Sequence, residues 1–156
     1  MSYFDKYNVP ASGMSAQKMR LNIISSNLAN TNTTMTADGT GPYKRKDVVF
    51  KEKSFENYLK DTSEEFIDFE KEAKNFSKKK NVGVEVDKVF VDEKDFIKKY
   101  EPNHPHADKD GYVLYPNINP VVEMNNMIEA TRAYEINSNS FNNQKQIDMQ
   151  TIDLLK

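Results

Sequence analysis

The chain has 156 residues, no cysteine, 37% hydrophobic residues and a formal net charge of −2 at pH 7. These values exclude disulfides, thiolate metal sites and cysteine nucleophiles, and they supply no net charge to draw the chain to nucleic acid or anionic lipid. A mean hydropathy of −0.80 implies a core that is small or completed by partners. No apolar run approaches the ~18 residues of a membrane-spanning helix, so direct membrane insertion is not expected. The opening MSYFDKYNVPASG has neither a basic n-region nor an apolar h-region, so neither is a cleaved secretory signal.

Residues 12–30 have a helical pattern. Ser12 can cap it, Met14, Leu21 and Leu28 recur every seven residues, and Gln17, Ile24 and Thr31 follow each by three. Asn27, Asn30 and Asn32, with Thr31, Thr33 and Thr34, compete for backbone hydrogen bonds and end it. Ala37 to Pro42 is turn-rich, with Asp38-Gly39 as a hairpin-type signal; it lacks the G-x-G-x-x-G and Gly-Lys-Ser/Thr patterns of a phosphate-cradling loop. Residues 43–50 read as a strand whose basic trio Lys44, Arg45 and Lys46 is its solvated start. From Ser54 to Lys80 the pattern returns to helix, with Phe55, Leu59, Phe66, Phe69 and Phe76 on one side and Lys78 to Lys80 at the C-terminal end, where positive charge suits the dipole. Asn81 to Val91 reads as a strand, Phe96, Ile97 and Tyr100 belong to a further short element, and Gly111 to Pro116 form a last strand.

Val121 to Leu155 then contains no Gly and no Pro. Met124, Met127, Thr131, Tyr134, Ser138 and Phe141 step by threes and fours, Ile128 widens the stripe, and Ile147, Met149, Ile152 and Leu155 continue its apolar character. Such a helix is about 50 Å long. A small domain cannot bury that stripe alone, so it requires another long helix from this chain or a neighbour. Charge separates the parts. Lys44 to Glu101 carries 15 basic and 15 acidic residues in 58 positions, leaving 7 basic and 9 acidic for the other 98. From Asn117 to Gln150 there are eight Asn and three Gln, side chains that hydrogen-bond across a packed interface without burying a charge.

The candidate for chemistry is the loop His104 to Gly111, which holds both histidines with Asp108 and Asp110. As a calcium loop it lacks a carboxylate at its first position and has Asn117 at its twelfth. As a zinc site it has no third ligand of obvious spacing. A Pro- and Asp-Gly-rich turn between short strands accounts for every residue. No serine has the G-x-S-x-G context, and no carboxylate pair stands out. We therefore expect no enzyme, no cofactor and no metal. A metal-dependent periplasmic hydrolase built on His104, His106, Asp108 and Asp110 is the alternative from another class.

Ser12 to Gln17, followed by RLNIISSNLANTNT (Arg20 to Thr33), resembles the signature shared by bacterial flagellar rod and hook proteins. Ala130-Thr131-Arg132-Ala133-Tyr134-Glu135-Ile136-Asn137 is similar to that family's C-terminal end. GPYKRKDVVF (Gly41 to Phe50), YEPNHPHADKDGYV (Tyr100 to Val113) and PNINPVVEMNNMIEA (Pro116 to Ala130) narrow the likeness to a proximal rod component. GYVLYP and PNIN argue against the sibling component FlgB, and residues 51–80 are longer and more charged than that likeness leads us to expect.

The resemblance implies an α+β chain with long N- and C-terminal helices paired as a coiled-coil domain and a small β-rich middle module carrying an extra helix. The divisions are 1–36 for the N-terminal helical rod-core segment, 37–116 for the middle module with 54–80 as inserted helix, and 117–156 for the C-terminal helix. It implies a structural subunit of the proximal rod that transmits torque from the membrane ring to the distal rod and hook. It also implies export without a cleaved signal, polymerisation in the periplasm, and no binding of nucleic acid. The implied partners are further copies, the rod proteins FlgB, FlgF and FlgG, the ring/rod junction protein FliE, and the flagellar export apparatus. The candidate assembly interface comprises Met14, Leu21, Ile24, Asn27, Leu28 and Asn30 at one end. At the other are Met124, Met127, Ile128, Thr131, Tyr134, Asn137, Phe141, Ile152 and Leu155.

Overall fold

The computed structural model describes residues 5–54 and 81–154. Among these, the order is α1 (Asp5–Ala29), β1 (Lys46–Ser54), β2 (Asn81–Val91), β3 (Ile97–Tyr100), β4 (Tyr112–Tyr115) and α2 (Pro120–Asp153). The chain is α+β. The helix expected over 54–80, with its basic end, falls outside the described residues except for Ser54, which ends β1.

α1 begins seven residues before the expected start and carries Pro10 inside it. Proline's fixed φ suits a helix, but there it removes the N–H that would bond the Lys6 carbonyl and crowds that carbonyl with its ring. Ser12 is therefore no cap: its hydroxyl donates to the Val9 carbonyl at 2.8 Å, and its oxygen accepts the Val84 N–H at 3.2 Å. The Asn/Thr cluster does end the helix. Asn30 Nδ2 donates to the Ser26 carbonyl at 2.8 Å and Thr31 Oγ1 to the Leu28 carbonyl at 2.8 Å, adding side-chain donors to the last carbonyls of the helix. At the start of α2, Asn119 Oδ1 accepts the Val121 N–H at 3.0 Å, with Pro120 at the first helical position. Such a cap is worth about 1 kcal/mol.

β1 runs over 46–54 instead of the expected 43–50 and pairs with β2 in a two-stranded sheet. β1 and β2 run antiparallel, since Arg45 accepts the Asp92 N–H at 2.8 Å while Lys51 faces Glu85 and Asp87 at 3.2 and 3.5 Å. Asp38-Gly39 lies in a turn of the 30–45 connection, with Gly39 donating to Thr36 and φ at 68°, not between two strands. β3 and β4 pair antiparallel from Ile97↔Tyr115 to Tyr100↔Tyr112. The histidine loop is the turn between them. Asp108 Oδ1 accepts the N–H groups of Asp110 and Tyr112 at 3.0 and 2.8 Å, and Gly111 takes a φ of 79°. That carboxylate is spent on holding the turn.

The chain divides into two compact units. One gathers Met1–Ala16, Phe50–Asp87 and Tyr134–Lys156. In it Tyr7 stacks edge-on against Phe141 at 5.2 Å between ring centroids, Lys6 and Tyr7 both bond Asp148, and Gly13 abuts Asn137. These contacts run in opposite senses along α1 and α2, so the two helices lie antiparallel there. The other unit gathers Gln17–Val49 and Lys88–Ala133, and its buried hydrophobic residues include Ile24, Tyr43, Val113, Ile118 and Ala130.

Candidate assembly interface

The inward face of α2 is one step off the expected stripe. Glu123, Ala130 and Asp148 are buried, and Asn137, Phe141 and Gln144 are partly covered, whereas Met124 and Ile128 are 47% and 51% exposed. Glu123, Ala130, Asn137 and Gln144 are seven residues apart, as are Phe141 and Asp148. The covered positions of α2 are thus mostly small or polar residues. α1 answers with Ala16, Ile24 and Asn27 buried and Gln17 partly covered.

In the second unit the seam closes on a polar cluster. Asn27 is fully buried. Its Nδ2 donates to the Lys46 carbonyl at 2.7 Å and to Glu123 Oε2 at 3.1 Å; its Oδ1 accepts the Lys46 N–H at 2.9 Å and the Tyr43 hydroxyl at 3.2 Å. Arg45 Nε donates to Glu123 Oε1 at 2.9 Å, and Arg45 Nη1 to Asp47 at 3.0 Å. Arg45 is thus not part of a solvated basic trio: its side chain is 20% exposed against 1% for Glu123. Burial opposes the guanidinium's charge, but the hydrogen bonds and charges of Glu123 and Asp47 outweigh it and raise its pKa above the ordinary value. Breaking such a pair by removing one partner costs about 3–5 kcal/mol, although a whole pair contributes little net stability. The low charge of the terminal segments suggested interfaces free of buried charge; Glu123 and Asp148 overturn that, because each has a cation or hydroxyl to meet. The sequence signal for Glu123 was an acidic residue in the first turn of a charge-poor helix.

The expected interface residues divide by position. Ile24 and Asn27 are buried within the chain, and Asn30 and Thr131 also bond their own helix backbone. Met14, Leu21, Leu28, Met127 and Phe141 are partly covered, and Asn137 lies against Gly13. Met124, Ile128, Tyr134 and Ile152 face outward, and Leu155 lies outside the described residues. Val121, at 69% exposed, extends the outward stripe in steps of three and four through Met124 and Ile128. Within one unit α2 meets α1 through Asn137, Phe141 and Asp148, and within the other through Glu123, while Val121, Met124 and Ile128 form an exposed apolar stripe.

Residues 8–34 match the family model for flagella basal body rod protein, and 109–154 match that for the flagellar basal body rod FlgEFG protein C-terminal region. Along its whole length the chain is 35% identical to the flagellar basal-body rod protein FlgC of Bacillus subtilis (strain 168), over 100% of both chains. The chain belongs to the FlgC family of flagellar basal-body rod proteins. Its FlgC relative in Aquifex aeolicus is 37% identical, over 100% of this chain and 99% of the relative. That in Borreliella burgdorferi is 35% identical with the same coverage. Membership in the FlgC family makes the chain a structural subunit of the flagellar rod and not an enzyme. Both matched segments belong to α1 and α2 and their flanks, with Asn27 in one and Glu123 in the other.

Proposed function

We propose that the chain polymerises into the proximal rod and passes torque from the membrane ring towards the distal rod and hook. The observation that carries this is the open apolar stripe Val121, Met124 and Ile128 on a helix whose opposite face already packs on α1. An apolar stripe left open on a charge-poor helix is stabilised by burial against a further helix. α1 and α2 then act as a coiled-coil pair formed by the 1–36 and 117–156 segments around a β-rich 37–116 module. The neighbours are further copies, FlgB, FlgF and FlgG, with FliE at the ring junction, and the subunit reaches its periplasmic site through the flagellar export apparatus. A deletion strain tests this: the reading predicts loss of swimming and membrane rings without rods, both restored by the gene. Swimming cells without the chain would contradict it.

A further inference from the structure

Asn27 pairs with Lys46 as a neighbouring strand would, giving a hydrogen bond to its carbonyl and taking one from its N–H. Its two remaining hydrogen-bonding positions go to Glu123 and Tyr43, so a residue of α1 spends its full capacity on β1's first residue, on α2 and on the segment leading into β1. Arg45, directly before β1, adds the third connection by its bond to Glu123. The rest of the seam holds little register information. Seven residues beyond Glu123 stands Ala130, which is buried in the same unit and would fit an apolar seam position as well or better. A slip of one heptad would put Ala130 opposite Asn27 and take the Glu123 oxygens away from the Arg45 Nε–H and one Asn27 N–H, leaving Arg45 with Asp47 alone. Lone buried polar groups of this kind select one register among otherwise similar ones.

We infer that Asn27, Arg45 and Glu123 form a register lock between α1 and α2, one that closes only when the start of β1 is seated. Ordering of residues 43–49 and alignment of the helices are then a single event: without β1 the helices can pair but not in one register, and without the helices Arg45 has no buried partner. The lock lies wholly within one compact unit and does not depend on which rod neighbours the chain meets.

Amide hydrogen exchange of the full-length chain, read by NMR, tests this. Asn27→Asp changes one group and sets a carboxylate oxygen against the Lys46 carbonyl and Glu123. Exchange is expected to accelerate together, on the order of a hundredfold or more, in residues 20–29, 46–49 and 121–130, while β3 and β4 keep their protection. Acceleration confined to 46–49, or spread equally to β3 and β4, would overturn the lock. Replacing the pair with Arg45→Met and Glu123→Met should keep the chain folded, since apolar side chains fill the space without buried charge. The amides of Ile24 and Ala130 should then appear as two or more sets of signals. A single set at the wild-type positions, or loss of the fold, would overturn the inference.

Discussion

A methyl group added to Gly13 would stand 2.6 Å from Asn137 Oδ1 and 2.9 Å from its Cγ, so the Asn137 side chain fills the space that a Cβ would need. Gly13→Ala gains about 1 kcal/mol of helix propensity, but overpacking costs ~1–3 kcal/mol. We predict a net loss of about 1 kcal/mol, seen as a melting temperature lower by roughly 2–4 °C. Because the obstacle is a side chain, Gly13→Ala with Asn137→Ala should recover the loss in a thermal double-mutant cycle. Additive losses would refute the contact.

Gly83 is constrained differently. A Cβ there would meet the Ser12 hydroxyl, and its φ is 142°, a conformation that side chains rarely adopt. Gly83→Ala should cost about 1–3 kcal/mol, and Ser12→Ala should not restore it, because backbone strain remains. Full rescue in chemical denaturation would show that the space alone mattered.

Tyr43 is a buried hydroxyl donor to Asn27 and lies 3.2 Å from Ser26 Oγ. Tyr43→Phe keeps the ring and should cost ~1 kcal/mol. Ser26→Ala should cost less, since Asn27 stays satisfied. The order of the two midpoints in urea is the check.

Tyr115 donates to Glu101 Oε2 at 2.8 Å. That hydrogen bond, then desolvation and the carboxylate's charge, raise its phenol pKa above the ordinary 10.0. A folded pKa above the unfolded one gives stability that is fully present below about pH 10 and lost as pH rises through the folded value. Glu101→Gln should move the Tyr115 ring titration, followed by NMR, back towards the ordinary value. An unmoved midpoint would refute the cause.

β2, β3 and the approximate reach of α2 were legible in residue pattern alone, because alternating valines, Asp-Gly turns and a long stretch without Gly or Pro act locally. The seam of α2 was not. Asn137 and Phe141 were expected and are partly covered, but Glu123, Ala130 and Gln144 hold inward positions where a search for large apolar side chains selects Met124 and Ile128, which face outward. Ser12 was expected as a cap, yet α1 starts at Asp5 and continues through Pro10. Arg45 could not be told from Lys44 and Lys46 by sequence, since its buried acceptor lies 78 residues away. The histidine turn was legible in full, because Asp108 and Gly111 act on their own neighbours.

In the proposed assembly the open face of α2 builds the rod while its opposite face packs on α1. The most direct test is electron cryotomography of cells whose sole copy carries Met124→Asp and Ile128→Asp, two exposed positions where charge costs the isolated chain little. With a purified variant that melts like the wild type, the account predicts membrane rings lacking rod, hook and filament. Rods of normal length in those cells would contradict it.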